Sequence, residues 1–245
     1  LVINSEDDSL FEIDIQARRI ISITKLGRCP TNIGIYEDKI YIINSDSNSL
    51  TIMDSRKMEV VETISLGNNP SSLAIDHIYK RIFISNFEGS SISIIEIKGK
   101  KIDYPIEDQP LKVKIYGDYI YILSILNSSN RHGSQLSLID RRQLRPVDSI
   151  YLKGLFYDFV KIHKMDRIYL INPEDGYLYK LEEAEKKIKK ALYLGGLARK
   201  ILYDGKDHLY INDIVNNEIL IVNIDKNIIE YRIKVGREPQ GILLV

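Results

Sequence analysis

The chain has 245 residues, with 34 basic and 34 acidic side chains, zero formal charge, an apolar fraction of 44% and a single cysteine. That balance excludes a protein that works mainly by bulk attraction to nucleic acid or an anionic membrane, which would need a net basic surface. The apolar fraction excludes a disordered chain, and one cysteine excludes an internal disulfide framework or a multi-cysteine metal site.

Ile and Tyr are heavily used, Phe is sparse and Trp is absent, a bias that favours strands. No apolar run approaches the roughly 18 residues of a membrane-spanning helix. Residue 1 is Leu rather than Met, so the chain reads as processed, trimmed or part of a longer one.

In chain order, LVIN (1–4), SLFEID (9–14) and RIISITKLG (19–27) are short β-rich segments separated by turn residues. The turn GRCP (27–30) opens a second set, containing YIIN (41–44), SLTIMD (49–54) and VVETISLG (60–67). GNNP (67–70) opens a third, with FISN (83–86) and SISIIE (91–96), and EDQP (107–110) a fourth, with YILS (121–124) and QLSLID (135–140). KGLFY (153–157) precedes YLIN (169–172) and YLYKLE (177–182); LGGLA (194–198) precedes YIND (210–213) and EILIVN (218–223). GREP (236–239) starts one more copy, which ends in PQGILLV (239–245).

Four strands in about 40 residues, repeated, is the pattern of a β-propeller. Residue 1 starts inside a unit and the C-terminus supplies only a first strand, so the ends join into one complete unit. The expected fold is therefore all-β: a single six-bladed propeller domain over 1–245, four antiparallel strands per blade. The strand at 239–245 closes it by joining the N-terminal three. The blades are 237–245 plus 1–26, 27–66, 67–106, 107–152, 153–193 and 194–236. Joining the termini removes an exposed sheet edge.

Two local readings follow from this register. The segment KLEEAEKKIKK (180–190) has helical composition, yet its place in the repeat predicts a strand end, a charged turn and a new strand. The residues that end the third strand of each unit (Asp14, Asp54, Glu96, Asp140, Glu182 and Asn223) are expected to cap the hairpin to the fourth strand rather than to form a site.

The succession Gly-x-x-Pro, short strand, Tyr-Ile-Ile-Asn, polar loop and Ile-x-Ile-Asp strand resembles the YVTN family of propeller repeats. It is clearest over 27–67 and extends over nearly the whole chain. NHL-type propellers are the nearest alternative, and zero Trp excludes tryptophan–aspartate propellers. The resemblance implies the propeller fold and a protein of a commonly exported group. It implies little about activity, because one fold carries many functions.

Catalytic constellations are sparse. His77, His163 and His208 recur between the first and second strands of three units, where exposed turn residues are the plain reading. Cys29 adjoins Arg28, but no histidine shares its type of loop, so the plain reading is a small, semi-buried loop residue. The acidic groups Glu6-Asp7-Asp8, Asp46 and Glu174-Asp175 lack calcium-loop spacing. The glycines are not followed by Lys-Ser/Thr and a helix, which excludes a phosphate-binding P-loop. No metal and no cofactor is expected.

Loops at a propeller's channel mouth are the expected binding surface. The candidate ligand-binding residues are Arg28, Asn32, Asn69, Ser72, Lys112, Arg131, His132, Asp158, Arg199, Lys200, Arg237 and Gln240. Arg131 and His132 lie in a loop (125–135) about six residues longer than its counterparts, a length that often marks a binding loop. Arg28, Arg199 and Arg237 suit an anionic group, because a guanidinium matches carboxylate and phosphate oxygens bidentately. These side chains could equally pair with neighbouring acids.

The expected function is a non-catalytic binding scaffold, exported or at the cell surface and monomeric, whose partner is a protein or a small anionic ligand. A metal-dependent lactonase- or lyase-type enzyme and a DNA-binding propeller are the alternatives, nucleic acid being disfavoured by the neutral charge.

Overall fold

The computed structural model describes residues 1–97, 99–126, 132–237 and 239. The fold is an all-β, six-bladed propeller. The N-terminal sheet contains β1 (Val2–Asn4), β2 (Ser9–Asp14) and β3 (Arg19–Lys25). Its expected fourth strand, 239–245, lies outside the described residues, Pro239 apart.

The other five sheets have four strands each, in meander order. They are β4 (Pro30–Tyr36), β5 (Lys39–Asn44), β6 (Ser49–Asp54) and β7 (Glu59–Ser65); β8 (Pro70–Asp76), β9 (Arg81–Asn86), β10 (Ser91–Glu96) and β11 (Lys101–Pro105); β12 (Gln109–Tyr116), β13 (Tyr119–Ile125), β14 (Ser134–Asp140) and β15 (Pro146–Leu152); β16 (Asp158–Ile162), β17 (Arg167–Asn172), β18 (Tyr177–Glu182) and β19 (Lys187–Tyr193); and β20 (Ala198–Tyr203), β21 (His208–Asp213), β22 (Glu218–Asn223) and β23 (Ile228–Lys234). One 3₁₀ turn, His163–Met165, is the only helix among the described residues. The chain forms two compact units, one of Leu1–Ser124 with Ser137–Asp148 and one of Ile125–Leu136 with Ser149–Val245.

In the first unit, β5, β9 and β13, the second strands of their blades, are buried on both faces, which explains their unbroken apolar runs. Side chains alternate across a strand. Ile40 and Ile42 of β5 therefore pack with Leu10 of β2, while Tyr41 and Ile43 pack with Ile82 and Ile84 of β9. Phe83 of β9 packs in turn with Ile120 and Ile122 of β13. In the second unit Tyr169 and Ile171 of β17 share a core with Leu209 and Ile211 of β21.

Local side-chain chemistry shapes the hairpins. Asp14 accepts from the Ala17 N–H, Asp54 from Arg56 and Lys57, Asp140 from Arg142 and Gln143, and Asn223 from Asp225 and Lys226. These are four of the six expected hairpin caps. Glu182 instead pairs with Lys180 and Arg167, its extra methylene carrying the carboxylate past the turn amides. The charged stretch 180–190 ends β18, turns and starts β19, as the register requires, because cross-strand pairing outweighs intrinsic propensity.

A buried ion pair fastens two blades of the first unit. Arg141, after β14, donates from Nε to Asp76 Oδ2 (2.7 Å) and from Nη2 to Asp76 Oδ1 (2.6 Å), and its Nη1 reaches the Gly117 carbonyl (3.0 Å). Asp76, at the end of β8, also accepts from the N–H groups of Ile78 and Tyr79. Asp76 is fully buried, and the Arg141 side chain is 11% exposed.

Candidate functional site

The Gly-x-x-Pro turns and the loops between second and third strands interlock. In the first unit the Arg28 N–H donates to Ser47 Oγ (2.6 Å), and the Gly89 N–H donates to the Asn68 carbonyl (3.1 Å). Links also run between blades. The Cys29 N–H donates to Asp8 Oδ1 and the Asn69 N–H to Asn48 Oδ1, each at 2.8 Å. Ser5 Oγ donates to the Pro30 carbonyl and Ser45 Oγ to the Pro70 carbonyl, so the hydroxyl after the second strand holds the next blade's proline.

The turn glycines have a steric reason. A Cβ on Gly67 would lie 2.8 Å from Cγ of the buried Asn86, and one on Gly27 equally close to Asn44. The Gly and the Asn of the repeat thus form one contact: the amide fills the space a side chain would take. Cys29 (φ 54°) and Asn69 (φ 52°), the third residues of their turns, are left-handed, which the motif itself does not disclose.

The candidate residues divide by what their polar atoms do. In the first unit, Arg28 is exposed, with one long contact from Nη2 to the Asp46 carbonyl (3.5 Å). Asn32 lies half-buried on β4 beside an irregularity between Pro30 and Asn32, and Lys112 lies half-buried on β12. Asn69 donates from Nδ2 to Glu88 Oε1 (3.1 Å). Ser72 is buried, and its hydroxyl accepts from the Val113 N–H of the next blade (3.3 Å).

In the second unit, Asp158 is buried and accepts from its neighbour Phe159 N–H (2.9 Å) and from Ile201 N–H of the next blade (3.2 Å). Arg199 is exposed with its guanidinium over the Tyr157 ring, 5.2 Å from the centroid. The N–H groups of Arg199 and Lys200 both donate to Asn212 Oδ1. Arg237 is exposed, and so is His132, whose carbonyl accepts from Tyr151 Oη (2.9 Å). Arg131 and Gln240 lie outside the described residues.

Ser72 and Asp158 thus perform the same task at equivalent positions, each accepting a main-chain N–H of the following blade. Among the described candidates, Arg28, Arg199, Arg237 and His132 are exposed, and the three arginines are the permanent cations of that set.

Two relevant side chains escaped the sequence reading. Tyr157 supports Arg199, and its place at the proline position of the turn KGLFY (153–157) was the signal for it. Asp213 is buried and accepts from Leu197, Val215 and Asn216 N–H groups and from Asn216 Nδ2. Burial pushes the Asp213 carboxyl up, and these hydrogen bonds, Asn216 first, more than reverse the push. Gly196 lies so close to this carboxylate that no side chain would fit. An ionised group so enclosed is a scaffold element rather than a proton acceptor.

Cys29 has the wrong electrostatics for a nucleophile. Burial, Asp46 and Asp8 all push its thiol up, away from the reactive thiolate. The one grouping of three metal-ligating side chains among the described residues is Asp204, Asp207 and His208. His208 opens β21, and its Nδ1 lies 2.8 Å from Asp207 and 3.5 Å from Asp204, while Nε2 lies 2.9 Å from Glu230 on β23. The Glu230 hydrogen bond above all pushes the His208 pKa up, against the opposing effect of burial. Both ring nitrogens therefore face carboxylates, an ion-pair network joining a turn to an outer strand.

No protein-family model and no curated protein sequence matches the chain. Solved structures do. Hydrazine synthase from Kuenenia stuttgartiensis superposes with a TM-score of 0.84 at 17% identity, over 97% of this chain and 83% of that one. Virginiamycin B lyase from Staphylococcus aureus gives a TM-score of 0.75 at 14% identity, covering 95% and 80%. A streptogramin B lyase gives 0.76 at 11%, covering 96% and 78%. At these identities the likeness shows the fold, and the neighbours include enzymes.

Proposed function

We propose that the chain is a non-catalytic binding propeller built from YVTN-type repeats, exported or at the cell surface, which binds an anionic group of a protein or small ligand, with Arg199 and Arg237 of the second unit and, separately, Arg28 of the first as the contacting side chains. The observation that carries this reading is the division of labour among the candidate side chains. The buried polar groups Ser72, Asp158 and Asp213 are committed to main-chain N–H groups, while the arginines are exposed. Arg199 is also pre-oriented by stacking on Tyr157, which lowers the entropy lost when its fork engages a carboxylate or phosphate.

The raised thiol of Cys29 argues against Cys29 as a nucleophile. A lyase-type enzyme, the activity named for two structural neighbours, is the second reading. It has their fold in its favour, and a fold by itself does not fix an activity. The test is a thermal-shift and calorimetric panel of inorganic phosphate, citrate and a glutamate-rich peptide. At least one should bind, and Arg28→Gln with Arg199→Gln and Arg237→Gln should weaken it at least tenfold. Unchanged affinity in the triple variant would refute the assignment.

A further inference from the structure

The outer strand β3, RIISITK, ends its sheet and leaves Ile20, Ile21 and Ile23 between 55% and 57% exposed. Three half-exposed isoleucines within four residues form a patch of the kind that marks an association surface. The patch is bounded by like charge, with Arg18 and Arg19 at one end and Lys25 at the other, and β3 itself contains no acid. The outer strand β7, EVVETIS, is the opposite case. Val60 and Val61 are 47% and 56% exposed, Glu59 and Glu62 are exposed beside them, and the strand contains no base.

We propose that a second copy of this chain docks its β7 edge against β3, setting Val60 and Val61 on Ile20, Ile21 and Ile23, with the acidic face of Glu59 and Glu62 turned toward the basic residues that flank the isoleucines. Charge selects this occupant. Antiparallel pairing of β3 with another β3, centred on Ser22, would set Arg19 against Lys25, and β7 against β7 would bring glutamates together; like charges across strands are unfavourable.

The register limits the form of contact. Ile21 is an extra residue between the pairs Glu12↔Ser22 and Ile13↔Ile20, and Val61 is extra between Ile52↔Glu62 and Met53↔Val60. Bulges blunt an edge against continuous strand addition. The contact is therefore side-chain packing with flanking charge. Because two different surfaces meet, it is heterologous, and a pair of copies keeps one free edge of each kind, one on each copy.

Sedimentation velocity over a wide concentration range tests the proposal. The weight-average mass should rise above the 28.3 kDa of one chain as concentration increases and fall back in high salt. The double variants R19E/K25E and E59K/E62K should each stay at the single-chain mass, and an equimolar mixture should associate again, because each supplies the edge the other lost. A wild-type chain that keeps the single-chain mass throughout overturns the proposal. So do variants that associate like wild type, or a mixture that stays monomeric. If charge reversal lowers the melting temperature, R19Q/K25Q and E59Q/E62Q serve instead, and each should weaken association without repelling.

Discussion

Removing Arg141 isolates the carboxylate of Asp76. In the native chain this group is fully buried and holds two guanidinium hydrogen bonds, at 2.6 and 2.7 Å, in addition to two turn N–H groups. Arg141→Met keeps much of the stem and removes the charge, leaving a buried anion with the turn amides alone. Loss of one partner of a buried pair costs about 3–5 kcal/mol.

The pH dependence gives a second signature. Burial pushes the Asp76 carboxyl up, but Arg141 and the N–H groups of Tyr79 and Ile78 more than reverse this and hold it below the usual carboxylate range. A depressed carboxyl stabilises the fold above its unfolded value of about 3.9, and that contribution is lost as pH falls through the lower folded value. In Arg141→Met burial acts with the ion pair gone, so Asp76 binds a proton more readily in the folded chain and the variant's deficit narrows as pH falls. Urea denaturation at neutral pH and at pH 4 measures both effects. Asp76→Asn combined with Arg141→Met should recover part of the loss. A deficit below about 1 kcal/mol at neutral pH, the range of exposed pairs, would refute the reasoning; a deficit that does not change with pH would refute the assignment of Asp76.

Three further predictions follow from single contacts. Gly67→Ala places a methyl 2.8 Å from Asn86 Cγ and should cost about 1–3 kcal/mol by overpacking; a melting temperature equal to wild type would show that Asn86 moves freely. Asp54 is lowered to about 2, first by the N–H groups of Lys57 and Arg56 and then by Lys39, so its stabilising effect should persist to low pH and vanish only as pH falls through that value. Carboxyl-carbon NMR titration checks this, and a midpoint near 4 would contradict it. Cys29 should react with iodoacetamide at neutral pH more slowly than free cysteine, since burial, Asp46 and Asp8 all favour the thiol; a faster reaction would reverse that electrostatic picture.

The amino-acid sequence by itself determined whatever depends on neighbours along the chain. Strand positions follow from alternation and turn residues, and the hairpin caps at Asp14, Asp54, Asp140 and Asn223 follow from short side chains reaching amides two or three residues ahead. The six units were legible because each repeats the same local pattern. Tertiary structure alone decided what depends on residues far apart in the chain. It set Arg141 against Asp76, 65 positions away, spent Ser72 and Asp158 on the main chain of the next blade, and laid Arg199 on Tyr157. A serine or aspartate after a turn looks the same in sequence whether it meets solvent or a buried N–H. The difference lies in what the following blade brings to it, some 40 residues later.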